Sequence, residues 1–172
     1  MPRPISGDCM PYFEKYINLV QGNSVAEALE NHASRLNAFY TDLPESKADY
    51  AYAEGKWTLK DLLQHVIDTE RIFAYRLLRI SRGDATPLPG FEENDYALAA
   101  KANTRSLQSL KEEFKAVRSS TDLLLQSLAP DQLDQKGITN NHPITANAIA
   151  FIAIGHLLHH QNVLTERYGI SQ

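Results

Sequence analysis

The chain has 172 residues, 43% hydrophobic and 22% charged, enough for one globular domain with a substantial core. Lys plus Arg number 17 against 21 for Asp plus Glu, and a net charge of −4 argues against a nucleic-acid binder. The one cysteine, Cys9, has no marker of reactivity beside it and excludes an intrachain disulfide. Met1 to Gly7 lack the apolar core of a signal peptide, and the most apolar window, Ile144 to Leu158, is too short to span a bilayer. A cytoplasmic protein without membrane contact is therefore expected.

Residues 1–10 read as loosely structured. From Tyr12 to Val20, the spacing of Phe13, Tyr16, Ile17 and Val20 predicts a short helix, broken by Gly22. Ser24 followed by Glu27 is a capping-box pattern, opening a helix to about Leu43 with Val25, Leu29, Leu36 and Phe39 on its apolar side. His32 falls within it and reads as an ordinary surface or boundary residue. After a connection holding Tyr50, Tyr52 and Gly55, Thr58 and Asp61 mark the start of a second long helix. Its stripe is Leu59, Leu62, Val66, Phe73, Leu77 and Ile80, it stops at Gly83, and His65 borders the stripe.

Residues 84–95 hold Pro87, Pro89 and Gly90 and read as a long loop. A third long helix is expected from near Asp95 or Thr104 to about Leu128, with Leu107, Leu110, Phe114, Val117, Thr121, Leu124 and Leu128 inward. Pro130 to Pro143, including His142, reads as a second loop. The fourth long helix runs from about Thr145 to Gly169. Val, Ile and Thr do not cluster in alternating runs, so little strand is expected. The pattern predicts an all-α single domain over residues 1–172, a four-helix bundle with a short extra N-terminal helix.

Inside the fourth helix lies Gly155-His156-Leu157-Leu158-His159-His160-Gln161. His156 and His160, four residues apart, share one helix face, and two imidazoles so placed can grip one metal ion. Burying two polar rings together costs free energy unless something satisfies them. His65 is the candidate third ligand. His159 also follows His156 at contact spacing, but a wheel centred on Ile149, Ile152, Ala153, Leu157, Val163 and Leu164 puts His160 within the apolar face and His159 at its edge, as a rim residue. No His-Glu-x-x-His, Gly-x-Ser-x-Gly, phosphate loop, dinucleotide fingerprint or Glu-x-x-His occurs.

The segment from Trp57 to Arg76, with Thr58, His65, Asp68 and Glu70, resembles the second-helix motif of the DinB/YfiT-like superfamily. The loop from Pro89 to Tyr96 is similar to that family's connector before helix three, and His156 with His160 to its His-x-x-x-His. The resemblance spans about residues 24–169, and departs at His159-His160-Gln161, where many relatives carry a small or basic residue after the second ligand. It implies a DinB/YfiT-like four-helix bundle, usually a homodimer, with a divalent metal on three histidines that map to His65, His156 and His160. Some relatives are transferases or isomerases dependent on low-molecular-weight thiols such as bacillithiol or mycothiol; others carry the label of metal-dependent hydrolases. The family name refers to DNA-damage induction, not to DNA binding.

Three neutral imidazoles leave a four-coordinate ion an open position, the pattern of catalytic rather than structural sites. Zinc or nickel is the first expectation, iron or manganese the next. Such an ion favours ionisation of a bound thiol, pKa about 8.5, or of water, about 15.7, and the thiol needs far less help. The expected chemistry is transfer of a small thiol to an electrophile. Metal-dependent hydrolysis is the alternative, and a non-catalytic metal-binding module the rival outside catalysis. Asp68 or Glu70 could orient His65 or act as general base, the plainer reading being solvated helix charges. Arg76 could bind a substrate carboxylate, the plainer reading being a structural ion pair. The loop from Asp84 to Asp95, with Phe91, is expected to form part of the pocket rim.

Overall fold

The structure is a computed structural model describing residues 1–171; Gln172, the last position of the expected domain, lies outside that range. Its α-helices are α1 (Pro11–Ile17), α2 (Val25–Thr41), α3 (Leu59–Ser81), α4 (Glu93–Ala100), α5 (Leu107–Ser127), α6 (Pro130–Leu133) and α7 (Ala146–Tyr168). An antiparallel hairpin of β1 (Lys136–Thr139) and β2 (His142–Thr145) leads directly into α7. Each long helix starts at a hydroxyl cap: Ser24, Thr58, Ser106 and Thr145 accept from the amides of Glu27, Asp61, Ser109 and Ala148. Those side chains satisfy amides that have no partner within the helix.

α2 and α3 each pack against both α5 and α7, so α2/α3 and α5/α7 lie on the diagonals of the bundle. The connections 42–58 and 128–145 therefore cross from one corner to the opposite one. α7 is buried on every side from Ala146 to Leu157, because α1 and the hairpin cover what α2 and α3 leave open. Gly155 permits this covering: a Cβ there would lie 2.1 Å from the carbonyl oxygen of Tyr16 in α1.

Several sequence expectations change. Residues 1–10 are tied down. Arg3 donates to the carbonyls of Ile17 (2.5 Å), Val20 (2.7 Å) and Gly22 (3.1 Å), closing the end of α1. Asn147 Nδ2 donates to Pro2 O, the Thr145 amide donates to Asp8 O, and Cys9 is buried. His32 is buried rather than at the surface, its Nε2 accepting from the Gln21 amide at 2.8 Å. Of the two starts expected for the third long helix, the later one, near Thr104, is close to the start observed for α5; α4 stands apart, because Lys101 turns left-handed (φ 51°) and a 3-10 turn at Ala102–Thr104 precedes the Ser106 cap.

The stretch 130–143, read as loop, contains α6 and most of the hairpin. Asn140 and Asn141, both at positive φ, make its two-residue turn, a conformation asparagine tolerates. Leu88 adds a single rung: its amide donates to Ile138 O and its carbonyl accepts from the Asn140 amide, each at 2.9 Å. The 84–92 loop is thereby held as one wall of a cavity.

Candidate metal centre

His65 lies on the inner face of α3, while His156 and His160 are one turn apart on α7. The packing of α3 on α7 brings the three imidazoles together. His156 Nε2 is 3.2 Å from His65 Nε2 and 3.0 Å from His160 Nε2. One nitrogen from each ring falls within 4.8 Å of the others, a cluster of three histidines without a carboxylate or thiol among the described residues. Three nitrogens around a tetrahedral zinc ion, at bonds of roughly 2.0–2.1 Å, stand about 3.3 Å apart. The donor set and its spacing fit a divalent ion. His159, half-buried, stays on the rim with its ring against Tyr16 and His160.

The surroundings hold the imidazoles neutral, the form that ligates metals. Burial, aided by the charge of His159, lowers the His65 pKa to about 4. Burial and then the neighbouring histidines lower His156 and His160 well below the ordinary value. With its Nε2 committed to the cluster, His65 has Nδ1 3.4 Å from Thr69 Oγ1, a long contact that fits an N–H donor. The Nδ1 atom of His160 is buried without a partner among the described residues. Rings pack the edges: Trp57 on His65, Tyr16 and Phe73 on His156. Tyr168 fixes Trp57 by donating its hydroxyl to the Trp57 carbonyl at 2.7 Å.

A cavity of about 150 Å³ opens beside His65 and His156, lined also by Thr69, Phe73, Arg76, Phe91 and Glu93. Of the other sequence candidates, only Arg76 reaches it. Glu70 is buried on another side of α3 against Arg118 of α5, at 2.6 Å. Its neighbour Asp68 is half-buried, accepts from Gln64 Nε2 at 2.9 Å, and does not line the cavity. Phe91 forms part of the wall, as expected for the 84–95 loop. Sequence reasoning missed Thr69, Tyr16, Glu93 and Asn140 as lining residues. For Thr69 a signal existed: His65, Thr69, Phe73 and Arg76 follow at helical spacing along one stripe.

Residues 28–164 match the family model of the DinB superfamily, most of the chain. The chain belongs to the DinB superfamily. A relative from Oceanobacillus iheyensis, provisionally named a metal-dependent hydrolase, is 25% identical over 147 residues, 82% of this chain and 84% of that protein. Among solved structures, YfiT from Bacillus subtilis is similar in fold, with a TM-score of 0.67 and 18% identity over 98% of this chain and 94% of that one. It is described as a probable metal-dependent hydrolase with an unusual four-helix bundle topology. A mycothiol-dependent maleylpyruvate isomerase is similar over 87% of this chain and 59% of its own, with a TM-score of 0.62 and 16% identity. The DinB/YfiT-like bundle expected from the motifs is the fold observed.

Proposed function

We propose that His65, His156 and His160 hold one divalent metal ion, zinc or nickel before iron or manganese, and that the adjoining cavity brings a small-molecule substrate to it. The observation that carries this reading is the convergence of three Nε2 atoms, those of His65 and His156 belonging to residues that are buried and line a cavity, with the half-buried His160 behind them. The bound ion supplies Lewis-acid charge that lowers the pKa of a coordinated thiol or water. Desolvation keeps the imidazoles unprotonated and free to ligate. Trp57, Tyr16 and Phe73 exclude water from the ring edges, and Glu93 is the carboxylate on the cavity wall able to take up a proton.

Within this reading the chemistry is transfer of a low-molecular-weight thiol to an electrophile. The thiol has to come from a cosubstrate, because Cys9 lies outside the cavity lining and burial, with Glu14 and Asp8 nearby, pushes its pKa up to about 11. The smaller cost of ionising a thiol supports this order, as does the likeness in fold to a mycothiol-dependent enzyme. The name of the Oceanobacillus relative favours the second reading, metal-dependent hydrolysis. A homodimer and a cytoplasmic location belong to the proposal on the family resemblance and the sequence alone. Metal-loaded protein incubated with a model electrophile and several thiols, beside its His156→Ala variant, separates the readings. A thiol-dependent rate above the variant is expected. Ester or amide cleavage without a thiol-dependent rate would reverse the order, and no rate of either kind would leave a metal-binding module.

A further inference from the structure

We infer that Arg76 is the anion-binding residue of the cavity beside the three histidines, and that the ligand it takes is a small molecule carrying a carboxylate. That this ligand is a substrate rests on the proposed function; that Arg76 binds it does not. This fold pairs its other deeply buried cations with carboxylates. Arg118, 2% exposed, is held by Glu70 and Asp122, and Lys60, 6% exposed, by Asp49 at 2.6 Å. Arg76 is 7% exposed, yet no carboxylate among the described residues lies within 4.0 Å of it. Its one hydrogen bond there is from a terminal guanidinium nitrogen to the Pro89 carbonyl at 2.6 Å. A guanidinium has five N–H donors in a planar fork, and a buried charge is costly until it is paired. The remaining donors suit a carboxylate bidentately.

Position supports the same assignment. Arg76 shares the cavity with His65, Thr69 and Phe73 of its own helix and with His156 of α7. The group is held in place: Pro89 anchors one nitrogen, and the guanidinium carbon sits 6.0 Å from the centre of the Phe91 ring. Pro89 is in turn fixed by the pairing of Leu88 with the hairpin. Burial alone pulls the Arg76 pKa down, with no carboxylate acting against it. Glu93, on the same wall and mostly exposed, stands beyond ion-pair range. A cavity of about 150 Å³ matches a ligand near the size of benzene, so a short-chain carboxylate suits it better than a nucleotide or a peptide.

The test uses butyrate, its neutral isostere butyramide, and inorganic phosphate, titrated by ligand-observed NMR into zinc-loaded and metal-stripped protein. Wild type, Arg76→Gln and Arg76→Lys are compared, with zinc content measured in parallel. Wild type should prefer butyrate to butyramide at least about tenfold, with or without zinc, as a charge-assisted pair requires. Arg76→Gln should lose that preference while keeping its zinc; Arg76→Lys, which keeps the charge but not the fork, should fall between. Equal butyrate binding by Arg76→Gln, no acid-over-amide preference in wild type, or phosphate binding more tightly than butyrate would each overturn the assignment. Should Arg76→Gln fail to fold, the wild-type preference and the lysine variant still decide. Absence of zinc from wild type would sink the proposed metal site and leave the metal-stripped arm to judge Arg76.

Discussion

Glu70 and His32 show how burial alone assigns roles that residue type leaves open. Glu70 is 1% exposed and faces Arg118 across the α3–α5 contact, so its carboxylate balances a buried cation. Desolvation raises its pKa and Arg118 opposes that shift. Glu70→Ala leaves the buried guanidinium to Asp122 alone and should destabilise the fold by about 1.5–3 kcal/mol in urea titrations. Its zinc content, measured on folded protein, should not change; loss of metal with little loss of stability would return Glu70 to the site. His32 is held below its ordinary pKa of 6.5 chiefly by burial. Above that value both folded and unfolded states leave it neutral. Below it the unfolded chain takes up a proton that the native ring resists, so stability falls as pH drops until the native ring also protonates. His65, lowered to about 4, acts in the same direction. The urea midpoint should therefore drop from pH 7 to pH 5, and less steeply in His32→Gln, whose amide oxygen can still accept from Gln21. An identical drop in the variant would contradict this account of His32.

At the scale of elements, α1 is the lid on His156, and its closeness depends on one missing methyl group. A Cβ at Gly155 would run into the backbone of Tyr16. Gly155→Ala should cost about 1–3 kcal/mol by overpacking and speed hydrogen exchange in α1, leaving α3 protected. Unchanged exchange in α1 would show that the contact is not what holds it. The long helices were legible because Ser24 with Glu27 and Thr58 with Asp61 announce their starts, and their apolar stripes run for several turns. The hairpin was not, since four-residue strands carry too little alternation and its turn is Asn-Asn without glycine. The split at Lys101 was hidden for a similar reason: a left-handed lysine leaves no mark in composition. Of the histidine cluster, His156 and His160 could be read from spacing within one helix, whereas His65, on another helix, was a candidate that the family resemblance pointed to. Tyr16, Glu93 and Asn140 could not, because they arrive from other elements through tertiary packing.

On the scale of the whole molecule, two diagonal crossings make this bundle hard to assemble from local pairing alone. They also set α3 against α7, the contact that joins His65 to His156 and His160. The family resemblance leads us to expect a homodimer, so light scattering at micromolar protein should give twice the 19.3 kDa chain mass. A value near 19.3 kDa would overturn that expectation and leave the site intact, since all three histidines come from one chain. Among the described residues no helix is long and apolar enough to cross a membrane. The most direct measurement of the central claim is metal stoichiometry by elemental analysis after zinc loading and desalting, for wild type, His65→Ala and His160→Ala. One ion per chain in wild type, with most of it lost from both folded variants, is the predicted result; full retention of metal in both would contradict the three-histidine site.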